Sequence, residues 1–375
     1  MVCLLEVWQV KVVIKVGSQA ILSADGEPLI AVMENIIDQI IELQIAGHQV
    51  ILVSSGAVAL GRGIARRING REYANSVADK QLLASLGQPQ LMAHYSQICE
   101  KRGYLVAQLL LTKYDFQTKR SYTNILRLLQ KALSQSHVLT IINENDSVAV
   151  DELMFTDNDE LSGIIAAQVG ADKLLLLTSI TGVYDKNPAE AGAKLIEEVR
   201  LSDELPELSG KTSFGRGGMS SKLNTARKMA SVGVMTHIAS IDELEVIRRL
   251  VLAEDKIGTK VIPEHKQAAR KKYLAFTQGE VHAQITANWG LVKVLAQNES
   301  STSILPIGVE AFKGNFKRGD LLEILNPAGT KIGVGVARYN SQKLSEYIGG
   351  KNHPELIHYD YLHLEYDALM EGQPQ

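Results

Sequence analysis

Residues 11 to 17, KVVIKVG, are a β-branched run closed by a glycine, the pattern of a strand buried on both faces that ends in a turn. From 29 to 46 apolar residues recur at helical spacing until Gly47 stops them before a second buried run, HQVILVSSGA. Two such strands and their helix make one βαβ unit. The alternation continues. A helical region over 77 to 102, read as interrupted at Gln88 and Pro89, leads into an apolar run at 104 to 111. A helix over 122 to 134 precedes the strand VLTIINEND, a polar loop through Asn158 precedes the helix LSGIIAAQVG, and the strand LLLLTS covers 174 to 179. A helix beginning near Ser221 leads to a last inner strand at 234 to 240. Strands alternating with helices predict an α/β fold, a three-layer αβα sandwich with a mostly parallel central sheet. Ligands of such sheets bind beyond the carboxyl edge. Gly17 and the segments 54–57, 143–146 and 178–179 all follow apolar strand runs, so four sequence-distant loops converge there.

The pattern changes near Gly258. Residues 260 to 272 carry Lys260, Lys266, Arg270, Lys271 and Lys272, with Pro263 breaking any continuous helix, and read as a solvated connector. Beyond it, EVHAQITA, STSILPIGVEAF, GDLLEILN and KIGVGVARY are short, strand-like and separated by turn residues, which predicts a small β-rich barrel. From about Asp360 the chain has no strong period, and fraying is expected. The expected domains are 1–262, a linker at 263–275, 276–357 and a C-terminal tail at 358–375, in keeping with 375 residues and about 150 residues per domain. Lys plus Arg at 39 against Asp plus Glu at 42 leaves a net charge of −3, no global field for nucleic acid or anionic membrane. Two cysteines build neither a disulfide scaffold nor a thiolate zinc site within this chain. The first residues lack a basic segment before their apolar run, and no stretch approaches 18 apolar residues. A soluble, cytoplasmic protein is expected, with no membrane partner.

Several constellations carry chemistry. Lys15 ends a buried strand, and Gly17 permits a turn that exposes backbone N–H groups to an anion; the Walker A spacing is absent, and a surface lysine beside a turn is the competing reading. In TSFGRGGMSSKLNTA, residues 212 to 226, Gly215, Gly217 and Gly218 precede Ser220, Ser221 and Lys222 at a helix start. There loop amides and the helix N-terminus suit a phosphate, and Lys222 would neutralise further charge. A Gly-rich loop without that role is the alternative. In INENDSVAVDELMFTDNDELS, Asp146 and Asn158 suit an amino-acid ammonium or other amide-compatible polar groups, and Asp159 suits the orientation of lysines. The EF-hand order with its glycine is missing, while Asp157 and Glu160 read as a charged helix start. Ser55 in VSSGA suits hydrogen bonding to a carboxylate substrate, against a plain helix cap; there is no G-x-S-x-G elbow. No histidines form an H-E-x-x-H pair, and Cys99 reads as a packing residue.

Taken in one order, VVIKVGS, LVSSGA, ADKQLLASLGQPQLM, IINENDSVAV, FTDNDELS, LLLLTSITGVYDKNP and GRGGMSSKLNTA resemble the glutamate 5-kinases of the amino-acid kinase superfamily. The resemblance covers 11 to about 260, and FKGNFKRGD with GVGVARYNS looks like the PUA domain appended to many members. It implies transfer of the ATP γ-phosphoryl group to the side-chain carboxylate of L-glutamate, for proline synthesis. By the same resemblance Lys15, Lys222 and Asp159 are catalytic, and Ser55, Asp146 and Asn158 contact glutamate. ATP is met by Lys15, Gly17, Thr178, Ser179, Arg216, Gly217, Gly218, Met219, Ser220, Ser221 and Lys222, with Mg²⁺ on phosphate oxygens and its protein ligands unassigned. The resemblance further implies a homo-oligomer through the kinase domain, feedback inhibition by proline, and delivery of product to glutamyl-phosphate reductase. Three positions depart from the family pattern: Ser179 stands where Asp is common, Thr156 where Gly is usual, and Arg216 where a small residue is usual. The PUA-like part raises RNA binding as a separate reading, through Lys313, Lys317 and Arg318 near Gly314, against a structural or regulatory appendage. Acetylglutamate kinase, aspartokinase and carbamate kinase are the rivals within the enzyme class.

Overall fold

The computed structural model describes residues 9–116, 119–149, 155, 157–188, 190, 192–203, 218–253, 255–263, 283–297, 302–364 and 369. The chain divides into two compact units, one of residues 1–115 and 123–266, the other of residues 116–122 and 267–375.

The first unit is built on an eight-stranded sheet. Its strands are β1 (Lys11–Val16), β2 (Gln49–Ser54), β3 (Leu105–Leu111), β4 (Val138–Glu144), β5 (Lys173–Thr178), β6 (Glu198–Val199), β7 (Met235–Ser240) and β8 (Thr259–Val261). Their spatial order is β3-β4-β2-β1-β5-β7-β8-β6, and all pairs are parallel except β7 with β8. The helices that matter for the site are α1 (Ser18–Ile21), α2 (Ile30–Ile45), α3 (Ala57–Asn69), α4 (Val77–Glu100), α5 (Lys119–Leu133), α6 (Asn158–Val169) and α7 (Met219–Ser231). Strand side chains alternate between faces. On β1, Val12, Ile14 and Val16 join Met33, Ile36 and Ile40 of α2 and Leu91 and Tyr95 of α4 in one core. Val13 and Lys15 therefore point to the other layer, where α6 packs on β1 and α7 on β7. This is the three-layer αβα arrangement, and it decides which layer Lys15 enters.

From β1 the chain builds outward to β2 on one side and to β5 on the other, so the carboxyl end of β1 lies where the strand order reverses, the place at which open α/β sheets bind ligands. Its C-terminal residues are in register: Lys15 lies opposite Val53 and Leu176, and Val16 opposite Ser54 and Leu177.

Two elements differ from the sequence reading. Helix α4 runs unbroken through Pro89. Pro89 and Ser85 are both exposed, so the carbonyl deprived of its N–H partner is on the wet side of the helix. On the inner side α4 is pinned by contact with α3, since a Cβ on Gly87 would lie 1.9 Å from the Ala57 carbonyl and one on Gly61 1.9 Å from the Leu83 carbonyl. Lys260, where the basic stretch read as a connector starts, is a sheet residue. Thr259, Lys260 and Val261 form β8, in which Thr259 Oγ1 accepts from the Val183 amide at 2.8 Å and donates to the Ile196 carbonyl at 2.7 Å. A three-residue strand is too short for its alternation to register. Residues from 264 to 282 lie outside the described ones.

The second unit holds a five-stranded mixed sheet of β9 (Gln284–Ala287), β10 (Val309–Lys313), β11 (Leu321–Leu325), β12 (Lys331–Val336) and β13 (Leu362–Leu364), ordered β10-β9-β11-β12-β13. Ile285, Leu322, Ile324, Ile332 and Ile357 fill its core. Helices Trp289–Gln297 and Ser341–Tyr347 lie outside the strand-like segments, where the sequence reading names no element. Where fraying was expected, β13 pairs with β12, close enough that a Cβ on Gly333 would lie 2.3 Å from the His363 carbonyl.

Candidate active site

The first turns of α6 and α7 meet Lys15 at the carboxyl edge of β1. Asp159 lies in the first turn of α6 and is fully buried, at 0% exposure, with Lys15 at 5% and Lys222 at 7%. Its two carboxylate oxygens divide between the lysines: Lys15 Nζ is 2.7 Å from Oδ1 and Lys222 Nζ is 2.8 Å from Oδ2. The Lys222 contact is a well-formed hydrogen bond. Lys15 makes a close ion pair, but Oδ1 receives no well-directed hydrogen bond. Burial would raise the Asp159 carboxyl, but the ammonium groups of Lys15 and Lys222 outweigh it and hold the carboxyl below its ordinary range. Two cations held by one carboxylate leave the cluster with an uncompensated positive charge, suited to a polyanion.

Asp157 joins the two helices. Its Oδ1 accepts from the amides of Asp159 and Glu160, at 2.9 and 3.1 Å, as the N-cap of α6, and its Oδ2 accepts from Ser221 Oγ of α7. The helix-start reading of Asp157 holds, and the bond to Ser221 is additional. Burial first, and the charge of Asp159 second, push its carboxyl up. A group raised in the fold stabilises it most when protonated, below the unfolded value of 3.8, and that contribution is lost as pH rises through the folded value. Asp157→Asn keeps a capping oxygen without a proton to lose. Relative to the parent, its stability in urea is therefore expected to improve as pH rises from 3.8 through the folded value and to level off above it. Parallel pH curves for the two proteins would contradict this account.

Helix α7 starts differently. Its N-cap is Gly218, which has no side chain to occupy the first-turn N–H groups, and such a terminus suits a phosphate. Gly17 caps α1 without a side-chain bond, and a Cβ there would stand 3.7 Å from Lys15 Nζ, so the turn leaves the ammonium uncovered on that side. Met219 is half-buried and Ser220 exposed. Arg216 and Gly217, with Gly215 and Thr156, lie outside the described residues.

On the other side of Lys15, Ser55 follows β2 and accepts from Asn158 Nδ2 at 2.7 Å. Asn158 Nδ2 also donates to Asn143 Oδ1 at 3.0 Å. Ser54 Oγ is 2.9 Å from the Tyr95 hydroxyl, and burial pushes that phenol well above its ordinary range. Asp146 is half-buried in the turn after β4. Thr178 ends β5 half-buried, and Ser179 follows it exposed. Thus Lys15, Asp159 and Lys222 form one set of direct contacts, Ser55, Asn158 and Asn143 form another, and the neighbours Asn158 and Asp159 place the two side by side; no such bond connects Thr178 or Ser179 to either set among the described residues. Sequence reasoning placed Asn143 on a convergent loop without giving it a role, and missed Gln88, whose Oε1 accepts from Asn143 Nδ2 at 2.9 Å. Cys99 is buried in the core and its thiol is pushed up to about 11 by burial, as befits packing. Among the described residues no group of three or more His, Cys, Asp or Glu could hold a metal ion, and no helix is long and apolar enough to cross a membrane.

The amino acid kinase family pattern matches residues 10–240, and the PUA domain pattern matches residues 283–354. A glutamate 5-kinase from Bacteroides thetaiotaomicron is 36% identical over 359 residues, covering 95% of this chain and 98% of its own. One from Chlorobaculum tepidum is also 36% identical, over 94% of this chain and 97% of its own. The chain belongs to the glutamate 5-kinase family. Among solved structures, a UMP kinase from Bacillus anthracis aligns more loosely, at 16% identity and a TM-score of 0.46, covering 68% of this chain and 96% of its own. As a glutamate 5-kinase family member the chain carries both expected parts, an amino acid kinase unit and a PUA domain.

Proposed function

We propose that this chain transfers the γ-phosphoryl group of ATP to the side-chain carboxylate of L-glutamate, giving L-glutamyl 5-phosphate and ADP, the first step of proline biosynthesis. The observation that carries the reading is the buried trio of Lys15, Asp159 and Lys222 at the carboxyl edge of β1. A carboxylate is already ionised near neutral pH, so its oxygen can attack the γ-phosphorus with no proton to remove. The bond from that phosphorus to the β,γ-bridging oxygen then breaks, and ADP leaves. The protein's task is alignment and charge neutralisation. Lys15 and Lys222 contact the transferring group, and Asp159 keeps their ammonium groups aimed at one place. Ser55, Asp146 and Asn158 hold glutamate, with its α-ammonium near Asp146. The N-terminus of α7, Gly17 and the segment from Arg216 to Lys222 receive phosphates, while Thr178 and Ser179 border the adenine.

Mg²⁺ would be carried by phosphate oxygens of ATP, the polyanion that the Lys15–Asp159–Lys222 cluster suits, and would neutralise phosphate charge there. The proposal extends to a cytoplasmic homo-oligomer joined through the kinase unit, to proline as feedback inhibitor, and to a glutamyl-phosphate reductase that consumes the labile product. In the second unit Lys313, Lys317 and Arg318 are all exposed around the turn at Gly314, and these are the groups that would meet an RNA backbone.

The deciding assay offers ATP and Mg²⁺ with glutamate, acetylglutamate, aspartate or carbamate in parallel. Glutamate is expected to be the acceptor, with ADP release matching acyl phosphate formed. Selective use of acetylglutamate would overturn the assignment.

A further inference from the structure

A single backbone hydrogen sets the direction of a whole row of amides. The Glu144 amide donates to Asn143 Oδ1 at 2.9 Å, which turns the Asn143 Nδ2 toward Gln88 Oε1, also at 2.9 Å. Asn143 Oδ1 accepts in addition from Asn158 Nδ2, which donates to Ser55 Oγ as well. Reversing any one amide would set donor against donor or acceptor against acceptor. The row therefore runs one way, from Gln88 on α4 through Asn143 at the end of β4 to Asn158 on α6.

This direction leaves Asn158 Oδ1 buried with no donor. An orphaned buried acceptor is costly and ordinarily finds a partner. Asn158 immediately precedes Asp159, so the orphan belongs to the helix turn that holds both lysines. The far end of the row is firmly placed, because Gly87, beside Gln88, sits where α4 meets the Ala57 carbonyl.

We propose that Gln88 is a positioning residue for the amino-acid substrate. Through Asn143 it holds Asn158 with Nδ2 engaged and Oδ1 reserved for a donor, which the α-ammonium of an amino acid supplies. Gln88 itself touches neither substrate nor phosphate. The inference rests on the reading of glutamate as acceptor and adds to it a residue one helix away.

Gln88→Met keeps length and removes the acceptor that Asn143 needs. It is expected to raise the KM for glutamate roughly 5- to 10-fold while kcat and the KM for ATP stay within about twofold. Gln88→Glu keeps an oxygen facing Asn143 and is expected to restore the glutamate KM to within about threefold of the parent. In an Asn158→Ala background, Gln88→Met is expected to add less than about twofold, because its effect passes through Asn158. Asn143→Ala removes the same link from its other side, so it must reproduce at least the same rise even where Gln88→Met does not fold. An unmoved glutamate KM in Asn143→Ala or Gln88→Met, an equal rise in the KM for ATP, or full persistence of the effect in Asn158→Ala overturns the proposal. Parent protein that phosphorylates no glutamate would instead overturn the functional reading, and this inference with it.

Discussion

Lys222→Ala is expected to reduce turnover roughly 100-fold or more, about 2.7 kcal/mol or greater of transition-state stabilisation, in the range observed for removing one preorganised donor. The Lys222 ammonium is held 2.8 Å from Asp159 Oδ2 in a setting where solvent screening is weak. Its position is fixed before substrate arrives, so no reorganisation is needed as charge moves from the γ-phosphoryl group to the leaving oxygen. The loss should fall on kcat with only a small change in the KM for glutamate, because the ammonium serves the phosphoryl side of the reaction. Folding should survive: Lys15 still pairs with Asp159 at 2.7 Å, which leaves a neutral pair in place of a cationic trio. Steady-state rates at saturating ATP and glutamate decide the matter. A rate equal to that of the parent protein would remove Lys222 from the chemistry.

Part of this site was legible in the sequence because it sits at ends of long apolar strands, and part because polar and Gly-rich segments mark the starts of helices. KVVIKV stands out because a strand buried on both faces has no polar alternation, and a lysine inside it must have a buried partner. Lys15, Ser55 and Asn143 follow from the rule that ligands gather at carboxyl ends of parallel strands. Asp159 could be placed near a helix start, but its double pairing depends on α6 and α7 meeting, which spacing does not encode. Gln88 was hidden for a related reason. It lies on a helix whose continuity through Pro89 depends on the close approach at Gly61 and Gly87, and local signals argue for a break there. Short edge elements were lost altogether, because β6 and β8 have two and three residues and owe their strand geometry to the neighbours that pair with them. In the second unit, Gly333 and Gly335 lie inside KIGVGVARY, legible as a strand, but the reason for glycine there, the close approach of the His363 carbonyl and the Ile357 side chain, comes only from the fold.

Asp159→Asn should be the most damaging isosteric change in the unit, because it removes one negative charge between two ammonium groups that are each less than a tenth exposed. An asparagine oxygen can accept from one lysine, but its amide hydrogens face the other, so two like charges remain buried and badly compensated. Breaking a buried pair in this way costs about 3–5 kcal/mol, and urea unfolding at neutral pH is expected to show it. The sign with pH follows from the depressed carboxyl. A group lowered in the fold contributes stability above the ordinary value of 3.8 and loses it as pH falls through the folded value. The deficit of the variant is therefore full at neutral pH and narrows only in acid below that point. Turnover should collapse too, since neither lysine is then aimed by a shared anion. ATP provides a check that separates charge from packing. Its phosphates bring negative charge to the same ammonium groups, so saturating ATP should raise the Tm of Asp159→Asn more than it raises that of the parent. Equal ligand shifts, or a variant as stable as the parent within about 0.5 kcal/mol, would mean that the lysines relax into solvent when unpaired. The trio would then be a resting contact, and the positive pocket at the end of β1 would have to be maintained by other groups.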